Sequence, residues 1–401
     1  MATALLLSMS SFAQQALFDN VPVVSPELNA NHTVTFRLKA PNAQKVQITG
    51  DFLPTKQIDT PVGKYDAPGV ADLVKDDKGV WSFTSPNLSP ELYSYNLILD
   101  GVKIVDPGSV YITRDITSVT NIFILSDKKG DCGDLYTVNE VPHGNVQKVW
   151  YDSPTLKMQR RMTVYTPAGY DKGKDYPVLY LLHGAGGDED AWTTLGRASQ
   201  ILDNLIATGK AKPMVVVMTN GNPNCQAAPG EWSAGMYVPS FYGYQGAKAV
   251  ATMDESFPDV MNYVESHYKV GKDKAHRAIC GLSMGGGHSF DISRRFPNKF
   301  DYVGLFSAGL HVGKTGDFRA DFYKMLQEDE EAKQQLATLF KNKPKLYWIG
   351  MGKTDFLYKS TAGLRRYFDE KGYKYTYMET EGGHIWRNWR VYLTEFAQKI
   401  F

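Results

Sequence analysis

Gly281-Leu282-Ser283-Met284-Gly285 sets a serine between two glycines, just after the apolar run Ala278-Ile279-Cys280 and before Gly286-Gly287. A strand that ends in Gly-x-Ser-x-Gly and turns at once into a helix presents the serine hydroxyl at the tip of a sharp turn. The small flanking residues let strand and helix approach each other. The pattern predicts Ser283 as the nucleophile of an acyl transfer. A hydroxyl needs a base to take its proton and a third group to orient that base. On scaffolds of this kind the acid and then the histidine follow the serine in sequence. Three histidines lie beyond Ser283: His288, His311 and His384. His288 falls inside the helix that starts at the turn and is expected to be packed or solvated there. His311 follows Ser307-Ala308-Gly309-Leu310 at the end of the next strand, where it could line the cleft. His384 sits in the glycine loop Glu381-Gly382-Gly383-His384 after the strand-like run 373–378, and is the expected base. Asp355, at the tip of the apolar strand 345–350 in Gly352-Lys353-Thr354-Asp355, is the expected acid. Its rivals are weaker, because Glu381 is almost adjacent to His384 and Asp369 belongs to a polar helix.

Ester chemistry also needs donors for the developing oxyanion. The apolar strand 177–182 closes in His183-Gly184-Ala185-Gly186-Gly187. A loop of this kind aims backbone N–H groups at the oxyanion, together with the N–H of the residue after the nucleophile. Ala185 and Met284 are the expected donors, and His183 is expected to support the loop. The chemistry requires no metal or other cofactor, and no Cys/His spacing matches a zinc or haem site.

Residues from about 140 to 401 resemble the esterase D and feruloyl esterase group of α/β-hydrolases, carbohydrate esterase family 1. The likeness is carried by Leu182 to Gly187, Ala278 to Gly286, Gly352 to Asp355, and Gly382-Gly383-His384-Ile385-Trp386-Arg387-Asn388-Trp389. The resemblance implies ester hydrolysis through an acyl-enzyme, with Ser283, Asp355 and His384 in the roles above. Ile385 stands where a threonine is common in the family, which leaves the triad untouched but changes the pocket wall.

The elements that must position these residues form two units. A chain of 401 residues exceeds what one core usually holds, and 43% hydrophobic with 22% charged residues fits a globular protein. Alternating strand and helix patterns over 144–401 predict a doubly wound α/β sheet, with ligands beyond the carboxyl ends of its strands. Residues 18–126 instead carry short alternating strands: Thr33 to Leu38, Val46 to Thr49, Val80 to Thr84, Leu92 to Leu99 and Asn121 to Ile124. Asp100-Gly101 is a hairpin signal. This unit is expected to be an immunoglobulin-like β-sandwich, joined to the α/β-hydrolase domain by a linker over 127–143. It resembles the early-set domains of carbohydrate-binding module family 48, through Phe36 to Ala43, Gly50-Asp51-Phe52 and Gly79-Val80-Trp81. Trp81, Tyr93 and Tyr95 then have two readings, as sugar platforms or as core.

The stretch 220–250 interrupts the strand–helix pattern with Trp232, Tyr237, Phe241, Tyr242 and Tyr244 among many glycines. A loop of this length is usually a lid or a binding loop. Trp232, Tyr237, Tyr242 and, beside the base, Trp386 are the expected substrate contacts. Residues 1–15 resemble the end of a secretory signal peptide, which implies a secreted or periplasmic enzyme. Cys132 and Cys225 are expected in loops, where export would allow them to pair, and Cys280 is expected to be buried. A net charge of +1 offers no field for nucleic acid, and no run is long and apolar enough to span a bilayer.

The favoured substrate is feruloylated xylan or xylo-oligosaccharide, with acetylated xylan second. A siderophore esterase of the enterobactin type is the nearest rival. Such an enzyme would gather cations around the cleft, for which Arg387, Arg390 and Lys248 are the candidates. A glycan-binding protein with a silent hydrolase domain is the alternative from another class.

Overall fold

The computed structural model describes residues 23–60, 63–232, 249–312 and 321–401. Residues 27–125 form two facing sheets and a two-stranded ribbon, Lys56–Thr60 paired with Gly63–Ala67. One has the order Glu27–Leu28, Val34–Lys39, Val80–Thr84, Val74–Lys75. The other runs Ile112–Asp115, Ser118–Leu125, Glu91–Leu99, Val46–Gly50, Gly69–Asp72, with Val102–Ile104 also paired to Glu91–Leu99. Alternation puts Val34, Phe36 and Leu38 inward from one sheet and Val46, Ile48, Tyr95 and Leu97 inward from the other. Asp100 and Gly101 both take positive φ (48° and 88°), as a two-residue hairpin demands, and join Leu99 to its partner Val102. The Asp100 carboxylate accepts the N–H groups of Gln44 and Lys45 at 2.9 and 2.7 Å, which ties the turn to the next strand.

Trp81, Tyr93 and Tyr95 belong to this core. The Trp81 indole donates to the Ala40 carbonyl at 2.9 Å, and Tyr95 packs on Phe36 with ring centroids 4.7 Å apart. Of the two readings of these rings, packing is the one observed.

The α/β unit is built on an eight-stranded sheet among the described residues. Its strands are labelled β1 (Asn145–Ser153), β2 (Met158–Thr166), β3 (Val178–Leu182), β4 (Val215–Thr219), β5 (Arg277–Leu282), β6 (Tyr302–Phe306), β7 (Leu346–Gly352) and β8 (Thr376–Thr380). The spatial order is β1-β2-β4-β3-β5-β6-β7-β8, with β2 antiparallel to both its neighbours and the rest parallel. Strands β3 to β6 are buried along their whole length, which explains their near-continuous apolar runs. One face is covered by the helices Met253–His267, Met284–Arg295 and Tyr358–Lys371 through Phe257, Phe290 and Phe368. The other is covered by Ala198–Ala207 and Trp386–Ala397 through Ile201, Leu205, Tyr392 and Phe396.

This second face also receives the sandwich. Leu92 and Ile122 join its apolar cluster, and so does Tyr136 from a short helix, Cys132–Tyr136, within the stretch expected to be only a linker. The contact is pinned by a buried ion pair, Arg390 to Glu91 at 3.1 Å, with Arg390 also donating to the Leu195 and Leu92 carbonyls. Among the described residues no helix is long and apolar enough to cross a membrane, and no side-chain cluster could hold a metal ion.

Candidate active site

Strand β5 delivers Ser283 into a turn with φ 52° and ψ −115°, and the helix Met284–Arg295 starts at the next residue. A non-glycine residue in this region stores on the order of 1–3 kcal/mol of strain. Three backbone hydrogen bonds hold it: Ser283 N–H to the Phe306 carbonyl (2.9 Å), and the N–H groups of Gly309 and Gly287 to the Ser283 carbonyl (2.8 and 3.0 Å). The flanking glycines are needed for space. A Cβ on Gly285 would lie 2.5 Å from the Leu182 carbonyl oxygen, and one on Gly281 would lie 2.6 Å from the Gly285 carbonyl carbon. Met284, as the first helical residue, has an N–H without an intrahelical acceptor, at the positive end of the helix dipole.

Asp355 and His384 meet beyond the ends of β7 and β8. The His384 Nδ1 stands 2.9 Å from Asp355 Oδ2 and 3.1 Å from Oδ1, and the carboxylate is fully shielded from solvent. Asp355 Oδ1 also accepts the Leu357 N–H at 2.9 Å. The loop that carries His384 is fixed by Thr354 N–H to the Gly382 carbonyl (3.0 Å) and by the Asn388 side-chain amide to the Gly383 carbonyl (2.9 Å). The imidazole rests against Phe356 and, edge-on, against Trp389, with centroids 4.5 and 4.9 Å away. With Nδ1 committed to Asp355, Nε2 is the nitrogen left to serve a hydroxyl. Asn388 and Trp389 belong to the motif that carries the resemblance but received no role from it, and Phe356 was not singled out, because their contribution is to hold and pack the loop.

The loop after β3 lies against the serine. A Cβ on Gly184 would sit 3.2 Å from the Ser283 Cβ. His183 is buried and holds the loop, as expected. Its Nε2 accepts the Gly221 N–H at 2.7 Å, so Nδ1 carries the proton and donates to the Gly184 carbonyl at 2.7 Å. Burial pulls its pKa below the ordinary histidine value. Ala185 is exposed at the tip of this loop.

Other sequence expectations fare differently. His311 is exposed, 3.9 Å from Asp291, a pairing outside the Asp355–His384 couple. His288 is packed in its helix, and burial lowers its pKa to about 4. Glu381 binds Lys353, and Asp369 accepts the Tyr375 hydroxyl at 2.9 Å, so neither competes for His384. Trp232 is buried in a small cluster with Cys225 and Ala227 of the same stretch. Tyr237 and Tyr242 lie outside the described residues. Trp386 is half-buried, edge-on to both Trp192 and Trp389 at 5.3 and 5.2 Å. Cys132 does not lie in a loop but opens the helix Cys132–Tyr136; it and Cys225 do not pair with each other. Arg390 is buried against Glu91, and Arg387 lies 3.7 Å from the same carboxylate with its guanidinium over Tyr93. These two cations sit at the domain contact, and the third candidate, Lys248, lies outside the described residues.

That the sandwich reaches the site is visible in no motif. Its turn after Asp115 lies on the β3 loop: Ile116 occupies the space next to Gly186, and Arg114 binds Asp188.

Comparison with known proteins follows this geometry. The Esterase family model matches residues 153–400. The chain belongs to this family. It is 30% identical over 387 residues to an endo-1,4-beta-xylanase/feruloyl esterase of Xylanibacter ruminicola, a match that covers 94% of this chain and 46% of that protein. The esterase-family chain thus spans about half the length of that relative. A CE1 ferulic acid esterase from the anaerobic fungus Anaeromyces mucronatus is 26% identical, with a TM-score of 0.50 over 67% of this chain and 96% of that one. The enterobactin esterase of Shigella flexneri is 14% identical, yet superposes with a TM-score of 0.60 over 91% of this chain and 92% of its own. That likeness is one of fold, and it extends across both units of this esterase-family chain.

Proposed function

We propose that this chain is a serine carboxylic ester hydrolase that removes feruloyl or related hydroxycinnamoyl groups from plant arabinoxylan. The observation that carries the reading is the shielded Asp355 carboxylate on His384 Nδ1, at the same end of the sheet as the strained turn of Ser283. The feruloyl preference is supported by the named activities of the Xylanibacter and Anaeromyces relatives. The siderophore reading is disfavoured, because Arg387 and Arg390 are engaged by Glu91.

In this mechanism His384 Nε2 takes the Ser283 proton as the hydroxyl oxygen attacks the ester carbonyl. Asp355 holds the reactive tautomer and stabilises the imidazolium. The N–H groups of Ala185 and Met284 receive the oxyanion, and each such donor typically lowers the barrier by about 2.7–4 kcal/mol. The imidazolium returns its proton to the departing sugar oxygen, and water then frees the acid by the same route. The domain reading is a β-sandwich over 18–126, similar to carbohydrate-binding module family 48, a connection over 127–143 and an α/β-hydrolase domain over 144–401. A polymeric xylan does not cross a cytoplasmic membrane, so the proposal includes export.

The test compares hydrolysis of methyl ferulate, feruloylated arabinoxylan, acetylated xylan and enterobactin by the wild type and by Ser283→Ala. Turnover of the feruloyl esters that vanishes in Ser283→Ala supports the reading. Preferential release of acetate or of the catecholate, or no turnover of any ester, sinks it.

A further inference from the structure

The turn of the sandwich that touches the β3 loop is held in an unusual way. Asp115 pairs with Ser118 across the hairpin, and between them Ile116 takes φ 53°, a conformation that β-branched residues rarely adopt. Such strain persists only where the surroundings impose it. Here they do so from the hydrolase domain. A Cβ on Gly186 would lie 2.9 Å from Ile116 Cγ1, so the isoleucine is seated directly on the loop expected to bind the oxyanion. Arg114 binds Asp188 of that loop and donates to the Ile116 carbonyl at 3.0 Å, which clamps the turn from both sides.

Between those two clamps stands Asp115. Its half-buried carboxylate faces Trp386 and lies within electrostatic reach of His384 and Arg114, while desolvation raises its pKa. Trp386 is two residues past His384 and packs on Trp389, which in turn packs on the imidazole. The side of the cleft follows from the chemistry. The imidazole must protonate the oxygen that leaves, so groups beside it face the alcohol half of the ester.

We infer that Asp115, supplied by the N-terminal sandwich, is a specificity-determining residue of the ester site, accepting hydrogen bonds from the hydroxyls of a neutral sugar alcohol and repelling anionic alcohols. The inference rests on the esterase reading above and adds its alcohol selectivity. It assigns the sandwich a direct part in substrate choice, although its own rings Trp81, Tyr93 and Tyr95 are buried.

The test uses the full chain and three esters of one acid: 5-O-feruloyl arabinose, methyl ferulate and feruloyl quinate. Asp115→Ala removes a charged acceptor, so kcat/KM for the arabinose ester should fall by about tenfold or more while methyl ferulate changes less than about threefold. Asp115→Asn should raise kcat/KM for the anionic quinate ester relative to methyl ferulate, by about three- to tenfold at low salt and less at high salt. Unchanged thermal unfolding of both variants shows that the fold is kept. An equal loss on all three esters overturns the inference, since it would mean that Asp115 only braces Trp386. If the wild type cleaves the feruloyl esters and neither ratio moves, this inference fails alone. If the wild type cleaves none of them, the esterase reading fails and this inference falls with it.

Discussion

Asp355→Asn is the sharpest single perturbation, because the surroundings dictate which way the new amide points. In the wild type Oδ1 accepts the Leu357 N–H at 2.9 Å, and Oδ2 stands 2.9 Å from His384 Nδ1. The asparagine keeps its oxygen on Leu357, since an NH2 there would face another donor. Its NH2 then takes the place of Oδ2 and donates toward Nδ1, which forces Nδ1 to become the acceptor and moves the ring proton to Nε2. The histidine now presents a donor where the serine hydroxyl needs an acceptor. Side-chain volume is almost unchanged, so the fold should survive. The same exchange in a serine-protease triad costs about 10⁴ in kcat, which corresponds to about 5.4 kcal/mol of barrier. The assay is steady-state hydrolysis of methyl ferulate by wild type, Asp355→Asn and Ser283→Ala, with circular dichroism as the control for folding. Activity within tenfold of wild type in a folded Asp355→Asn protein would refute the tautomer argument and with it the assignment of Asp355.

Three further outcomes are expected. Gly285→Ala places a methyl 2.5 Å from the Leu182 carbonyl oxygen and 2.6 Å from that of His183, both backbone atoms that cannot step aside. It should cost at least the roughly 1–3 kcal/mol of ordinary overpacking in urea unfolding, and should depress kcat as the turn shifts. Arg390→Ala leaves the buried Glu91 with only Arg387, 3.7 Å away, as a partner cation and should lower stability by about 3 kcal/mol, the low end for breaking a buried pair, whereas the apolar pair Arg390→Met with Glu91→Leu should recover most of the loss in the same unfolding measurement. His288, held at about 4 by burial, gains a proton on unfolding, so the unfolded state binds more protons between about pH 6.5 and pH 4. Stability should therefore fall as pH drops through that window, and the midpoint of thermal unfolding in His288→Gln should depend less on pH.

Much of the site was legible because its parts are local. Gly281-Leu282-Ser283-Met284-Gly285 needs only its own strand and helix to make the turn, and the structure shows both, with Ser283 in the strained conformation that the pattern implies. The apolar run 177–182 reads as a strand because β3 is buried on both faces, and Asp100-Gly101 reads as a hairpin because few residue pairs tolerate two positive φ values. Asp355 and His384 are far apart in sequence, yet each follows a strand of the same parallel sheet, and such strands bring their carboxyl ends to one edge. Boundaries were less legible. Strand β8 begins at Thr376, later than the run of tyrosines from 373 suggests, because Tyr373 stacks on Phe340 instead, 4.1 Å away.

What the chain declares alone is its chemistry, since residue type and short spacing set the turn, the loop and the strand tips. What needed three dimensions is the use of every residue whose role depends on a remote neighbour. Arg387 and Arg390 read as cations for a ligand until Glu91, some 300 positions earlier, is found against them. The burial of Trp232 beside Cys225 and Ala227 is not legible in its loop, and Asp115 carries no motif at all. The physical reason is that burial and ion pairing are properties of the packed surface between distant segments. Periodicity reports which side of an element is apolar, but not which element comes to cover it.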